Sequence, residues 1–166
     1  DMSERIEELQ NTLPMPLAQL VRRMAAASTA RDRHDGAFYL AEATLKLAAA
    51  ARVGRVLSWG SPPSPALAKK LEGLLLPSTG HWTALLRNTT DALAQQPEAS
   101  SDPLAARAAL TGPRKELTAL TALAKAMVAE HVANAKIVEQ APKSGVFGFF
   151  DLLVVYRNKV IGHSGQ

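Results

Sequence analysis

The chain has 166 residues, 47% of them hydrophobic, with a formal charge of +4 and a sequence pI near 9.6. That length and apolar content suit one domain with its own core and exclude a wholly disordered chain. Cysteine is absent, which removes disulfides, thiolate catalysis and Cys-ligated zinc together, and the scattered Lys and Arg form no long basic run that would mark a dedicated polyanion-binding tail.

Nearly every segment reads as helix, because Ala and Leu dominate and alternating strand patterns are almost missing. The opening "DMSERIEELQ" is charged and acidic, unlike the basic-then-apolar order of a signal peptide, and a cytoplasmic setting is expected. Ser3 is placed to cap a short helix through "ERIEELQNTL", which Pro14 and Pro16 end. A second short helix, "LAQLVRRMAAAS", closes near Thr29. Both are weakly amphipathic, so residues 1–30 are expected to be peripheral and residues 31–166 to form the main bundle. "RDRHDG", around His34, reads as a solvated helix start, with a basic rim for RNA as a second reading.

The first long helix is expected over "DGAFYLAEATLKLAAAARVGRVLSW", with Phe38, Ala41, Leu45, Ala49, Val53 and Val56 on one apolar stripe. Glu42 and Lys46 form an i,i+4 pair on it. "GSPPSP" stops it, since consecutive prolines remove donors and force extended geometry. A short helix, "ALAKKLEGLLL", leads to "PSTGHW", where Ser78 or Thr79 caps a helix whose core side is Trp82, Leu85, Leu86, Thr89 and Leu93. "QQPEASSDP" is a surface connection. From about Pro103 a long helical region continues through "ELTALTALAKAMVAEHVANAKIVEQ", with Leu117, Leu120, Ala124, Met127, Val128 and His131 at inward spacing. "APKSG" breaks it before a last helix, "FGFFDLLVVYRNKVIGHSGQ", whose apolar run is interrupted by Asp151 and falls short of the roughly 20 residues needed to span a bilayer. The sum is an all-α, antiparallel bundle of four to five helices with short peripheral helices at the N-terminus.

The four histidines, His34, His81, His131 and His163, are far apart, and no HxxxH or HExxH spacing supports a metal site. Neither a P-loop, a dinucleotide fingerprint nor a nucleophile elbow is present, and no cofactor is expected. His81 reads as a helix-start residue and His131 as a core-edge one. The closing stretch is more specific, because Arg157, Asn158 and His163 follow an almost unbroken apolar run. At 100° per residue Arg157 and His163 stand about 120° apart on a straight helix, and Gly162 loosens the turn enough for His163 to swing toward Arg157. Arg suits a phosphate held bidentately, and imidazole suits proton transfer to or from a ribose hydroxyl. One His does not easily serve as acid and base at once, and a two-fold dimer would supply a second.

"YRNKVIGH" resembles the signature of the HEPN domains (higher eukaryotes and prokaryotes nucleotide-binding), an Arg, a polar residue such as Asn, and a His four to six residues beyond the Arg. A long early helix with the motif on the last helix is also similar. The resemblance implies a four-to-five-helix bundle, dimerisation, and in many members metal-independent RNA cleavage in a cleft across the dimer. It makes Arg157 and His163 the catalytic pair and Asn158 the supporting polar residue, in an effector of a toxin or defence system with an inhibitory or effector protein partner. Some members carry a Tyr two residues after the His, where this chain has Gly165. Two other readings of the same residues stay open. "RNKVIGHSG" also suits a buried helix reaching water, with Arg and His favoured by the macrodipole and Gly165 as an αL cap. The chain also suits a non-catalytic dimerisation, sensing or interaction module, and its ending on "GHSGQ" is what the N-terminal part of a longer protein would look like.

Overall fold

The computed structural model describes residues 1–59, 62–75, 77–95, 101–131 and 145–161, the side chains of Ser101 and His131 apart. Among the described residues the chain is all-α, with no strand. In order come α1 (Met2–Thr12), α2 (Met15–Ala25), α3 (Ala30–Leu57), α4 (Pro65–Glu72), a 3₁₀ turn (Gly73–Leu75), α5 (Thr79–Ala94), α6 (Ser101–Thr111), α7 (Lys115–His131), α8 (Val146–Tyr156) and a π-helical turn (Arg157–Ile161). These helices form two compact units, residues 1–51 and 52–166, divided within α3.

In the first unit α1 and α2 pack together as a helical hairpin. The cap of α1 is Asp1 and not Ser3. The Asp1 carboxylate accepts the Ser3 N–H at 3.2 Å, and Glu4 reaches back to the N-terminal amine at 3.0 Å. A carboxylate one turn from four unpaired N–H groups is the stronger acceptor, and Ser3 becomes one of the donors it serves. Pro14 and Pro16 do more than end α1. They open α2, where a missing N–H costs no helical bond. Helix α1 buries none of its residues, whereas α2 buries Leu17, Ala18 and Val21.

Helix α3 begins at Ala30, so "RDRHDG" forms its first turns and is not a lead-in to a helix starting at Asp35. Thr29 accounts for the earlier start. Its hydroxyl oxygen accepts the Asp32 N–H at 3.0 Å and donates to the Asp32 carboxylate at 2.7 Å. Gly36 lies hard against the last turn of α2, where a Cβ would stand 3.2 Å from the Met24 Cβ. The expected stripe is present: Leu45, Ala49 and Val56 are buried and Phe38, Ala41 and Val53 half-buried. Glu42 and Lys46 pair at 3.4 Å.

In the second unit Val56, Leu67 and Leu93 make a small core with Trp59, Leu71 and Ala92 packed on it. Ser64 caps α4 and Ser78 caps α5. The inner face of α5 is Leu85, Leu86 and Leu93 together with Thr79, Thr83, Thr89 and Thr90, and Trp82 is half-buried. Thr83 and Thr89 return their hydroxyls to the carbonyls of Thr79 and Leu85, at 3.0 and 2.6 Å. Thr90 has no such outlet, and neither has Thr121 on α7, so both hydroxyls are buried without a hydrogen-bond partner among the described residues.

The long helical region expected from Pro103 is two helices. Pro113 has no N–H and disfavours helical geometry at Gly112, so α6 ends at Thr111 and α7 starts afresh at Lys115. The new start also resets the inward face. Thr121 and Val128 are buried and Leu117, Ala124 and Met127 half-buried, while Leu120 stands 45% exposed. The "APKSG" break lies outside the described residues but for Gly145.

Helix α8 packs against α5, α6 and α7 and buries Phe147, Phe150, Leu152, Leu153 and Tyr156. Each large side chain enclosed this way contributes on the order of 1.5–3 kcal/mol. Gly145, the N-cap, permits the approach. A Cβ there would meet the Thr111 and Gly112 carbonyl oxygens at 2.9 and 3.2 Å, and backbone does not move aside as a flexible side chain would.

Gly145→Ala is therefore expected to destabilise the fold by about 1–3 kcal/mol, as overpacking does, measured as a lower urea midpoint at unchanged m-value. Thr90→Val and Thr121→Val should each raise stability by about 1 kcal/mol, because an unpaired buried hydroxyl is removed at nearly constant volume. A fall in midpoint for both would mean that their hydroxyls are hydrogen-bonded after all.

Candidate functional site at the end of the last helix

The apolar run of α8 ends where side chains become exposed. Phe147, Phe150, Leu152, Leu153 and Tyr156 are buried, and the next two residues, Arg157 and Asn158, are exposed. Tyr156 anchors the transition, its hydroxyl donating to the Met127 sulfur on α7 at 3.9 Å. Helix α7 also packs against the π turn, which is therefore held from the side as well as along its own axis.

From Arg157 to Ile161 the backbone is wound as a π-helix. Such single turns are rare and are frequently found at functional sites. The wider ring sets a residue spacing other than the 100° of an α-helix, so the 120° separation worked out for a straight helix does not carry through this turn. His163 itself lies outside the described residues, with Gly162 and Gly165. Arg157 and Asn158 are brought side by side at the surface, and their side chains have no hydrogen-bond or ion-pair partner among the described residues.

The electrostatics of α8 sharpen that contrast. Its one acid, Asp151, accepts from Arg87 of α5 at 2.7 Å. The same guanidinium lies over the Phe147 ring, 5.2 Å from its centroid, so charge pairing and a cation–π contact share one side chain. The pair is partly exposed, at 45% and 31%, and exposed pairs of this kind contribute no more than about 1 kcal/mol. Its effect on charge is larger than its effect on stability. Asp151 is matched, and the π turn carries Arg157 and Lys159 with no acid of its own. A guanidinium with no partner among the described residues, next to a carboxamide, is chemically suited to an anionic oxygen such as that of a phosphodiester.

The other histidines sit elsewhere. His81 completes the cap of α5. Its N–H donates to the Ser78 hydroxyl at 3.3 Å, its Nδ1 accepts the Ser78 N–H at 3.2 Å, and its ring lies over Gly73. This is the reciprocal arrangement usually made with Glu or Gln, and it agrees with the helix-start reading. His34 pairs with Asp35 at 3.0 Å on the exposed face of α3. The His131 side chain is outside the described set. Among the described residues no group of three or more His, Asp or Glu is arranged to hold a metal ion, and no helix is long and apolar enough to cross a membrane.

Arg87 is the residue of this region that sequence reasoning missed. A lone acid in an apolar helix calls for a partner, but Arg87 is far away along the chain and only folding brings it to Asp151.

Arg157→Ala and Asn158→Ala are expected to leave stability within about 0.5 kcal/mol of the parent, as exposed side chains without partners do. Thermal melts of the two variants check this, and a loss of about 2 kcal/mol or more, as for an alanine replacing a satisfied buried group, would make the turn structural.

Compared with known proteins, the chain matches no family model, no curated protein and no solved structure.

Proposed function

We propose that the chain is a HEPN-like domain that cleaves RNA without a metal ion, through Arg157 and His163 with Asn158 in support. The observation that carries this reading is the exposure of Arg157 and Asn158, without partners among the described residues, on a π turn that follows directly from a buried helix. A purely structural arginine at this position would be expected to hold a neighbouring carbonyl or carboxylate, and Asp151, the one acid on α8, is taken by Arg87.

In the proposed reaction Arg157 binds the scissile phosphate and offsets the charge that develops on it. Neutral His163 takes the proton of the ribose 2′-hydroxyl, whose oxygen attacks phosphorus and expels the 5′-oxygen, leaving a 2′,3′-cyclic phosphate. The leaving oxygen needs a proton from a second acid, which the His163 of a second copy would supply. Such a cleft belongs to a homodimer, and the exposed Leu120 and Leu123 of α7, at 45% and 59%, offer apolar surface for one. In a toxin or defence setting in the cytoplasm an inhibitory or effector protein would be a further partner.

Those same leucines favour a second reading, in which the chain is a non-catalytic dimerisation or interaction module and α7 is its contact surface. Incubation of a mixed-sequence RNA in EDTA separates the two. Cleavage to 2′,3′-cyclic ends by the parent protein, lost at least a hundredfold in His163→Ala and Arg157→Ala, is the expected result. A folded, dimeric parent that leaves the RNA intact would instead point to the interaction module.

A further inference from the structure

A second basic surface lies in the first compact unit, and the case for it is independent of any reaction at the π turn. Between Arg22 and Arg33 the chain carries four arginines, with one aspartate, Asp32, among them. Arg22 and Arg23 occupy the last turn of α2, and Arg31 and Arg33 the first turns of α3. The two helix ends are close in space, since a Cβ on Gly36 would stand 3.2 Å from the Met24 Cβ. All four arginines are exposed. Arg33 folds back over the connection between the helices, donating to the Ala27 carbonyl at 3.4 Å. Arg22, Arg23 and Arg31 have no ion pair among the described residues.

The acids near this corner are already engaged. Asp32 is held in the Thr29 cap at 2.7 Å, Asp35 pairs with His34 at 3.0 Å, and Glu4 on the neighbouring α1 is paired with the N-terminal amine at 3.0 Å. Asp1 accepts the Ser3 N–H, and Glu7 and Glu8 lie further along α1. The four guanidiniums are exposed beside these carboxylates, and Arg22, Arg23 and Arg31 form no ion pair with them among the described residues. That every cation here is Arg matters, because the planar fork grips phosphate oxygens in pairs where Lys acts as a point charge.

Tyr39 on α3 adds a second feature. It is 56% exposed and stands edge-on to Phe38 at 5.9 Å, an aromatic face open to solvent two turns along from Arg31. Arginines tracking a backbone beside an exposed aromatic are the parts of a single-strand binding surface. A membrane surface fits less well, since the connection itself is Ala26, Ala27, Ser28 and Thr29, with no large apolar side chain to insert.

We infer that the α2–α3 corner, through Arg22, Arg23, Arg31 and Arg33 with Tyr39 beside them, binds the phosphodiester backbone of single-stranded nucleic acid.

The test is fluorescence anisotropy of the whole chain with labelled oligo-dT, which lacks the 2′-hydroxyl and reports binding whatever becomes of the cleavage reading. Replacing all four arginines by Gln is expected to weaken binding at least tenfold at low salt. The slope of log affinity against log salt should shrink by about 0.7 for each phosphate that is no longer neutralised. Arg22→Gln/Arg23→Gln alone, which leaves the Arg33 bond to Ala27 intact, should remove about half of that slope and decides the matter if the fourfold variant fails to fold. Tyr39→Ala should weaken binding without changing the slope, as loss of stacking does. Unchanged affinity in the double variant, no binding of oligo-dT by the parent, or arginine-dependent binding confined to anionic vesicles or to polyglutamate would each overturn the inference.

Discussion

Helix α8 is almost wholly apolar, and that fact constrains most of the second compact unit. A helix hydrophobic all round has to be enclosed, and α5, α6 and α7 do this together. Enclosure of this kind leaves little tolerance at the points of closest approach. Gly145 therefore has no room for a side chain against the end of α6, and the small, β-branched threonines of α5 line an interior that larger residues would overfill. The polar motif begins at Arg157, the first exposed residue after the buried Tyr156, although α7 still packs against the turn that follows.

The interior treats its polar groups in two ways. Where a threonine can turn its hydroxyl to the carbonyl four residues back, as Thr83 and Thr89 do, the group is satisfied within its own helix and costs little. Thr89 also comes within 3.3 Å of the Leu86 carbonyl, the oxygen that Thr90 would use as the next acceptor in register. Asp151 follows neither course. It reaches across to Arg87, which converts the sole acid of α8 into one half of a pair and leaves the cations of the π turn without a matching charge on their own helix. In the first unit Asp32, Asp35 and Glu4 are held by a cap or a near neighbour, while the arginines at the α2–α3 corner are exposed.

Much of the helical layout was legible in the residues. The stripe through Leu45, Ala49 and Val56, the Ser78 cap and the Leu85–Leu93 face of α5 are all where periodicity places them. Errors came where two local signals competed. Ser3 is a good cap, but Asp1 stood two positions earlier with a stronger acceptor. "RDRHDG" read as the solvated entry to a helix starting at Asp35, yet Thr29 begins the helix before it and solvent accepts its charges. In "TALTALAK" leucines and threonines recur at almost the same spacing, so either could face inward. Hydropathy favoured Leu120, and packing against α8 chose the face of Thr121. The candidate site was legible in part. Arg157 and Asn158 stood out because polar residues end an apolar run, whereas the π winding beneath them has no sequence signature and Arg87 had no local reason to be named.

By itself the sequence determined the helical class, the positions of most caps and stops, and the residue types available for phosphate chemistry, because these follow from neighbours within a turn or two. Only the tertiary structure decided which face of α7 is inward, that Asp151 is matched by a side chain of another helix, and that Arg157 and Asn158 are exposed while the turn they open still packs against α7. Those outcomes depend on which surfaces compete for the same interior space, and such competition joins residues that the chain order keeps far apart.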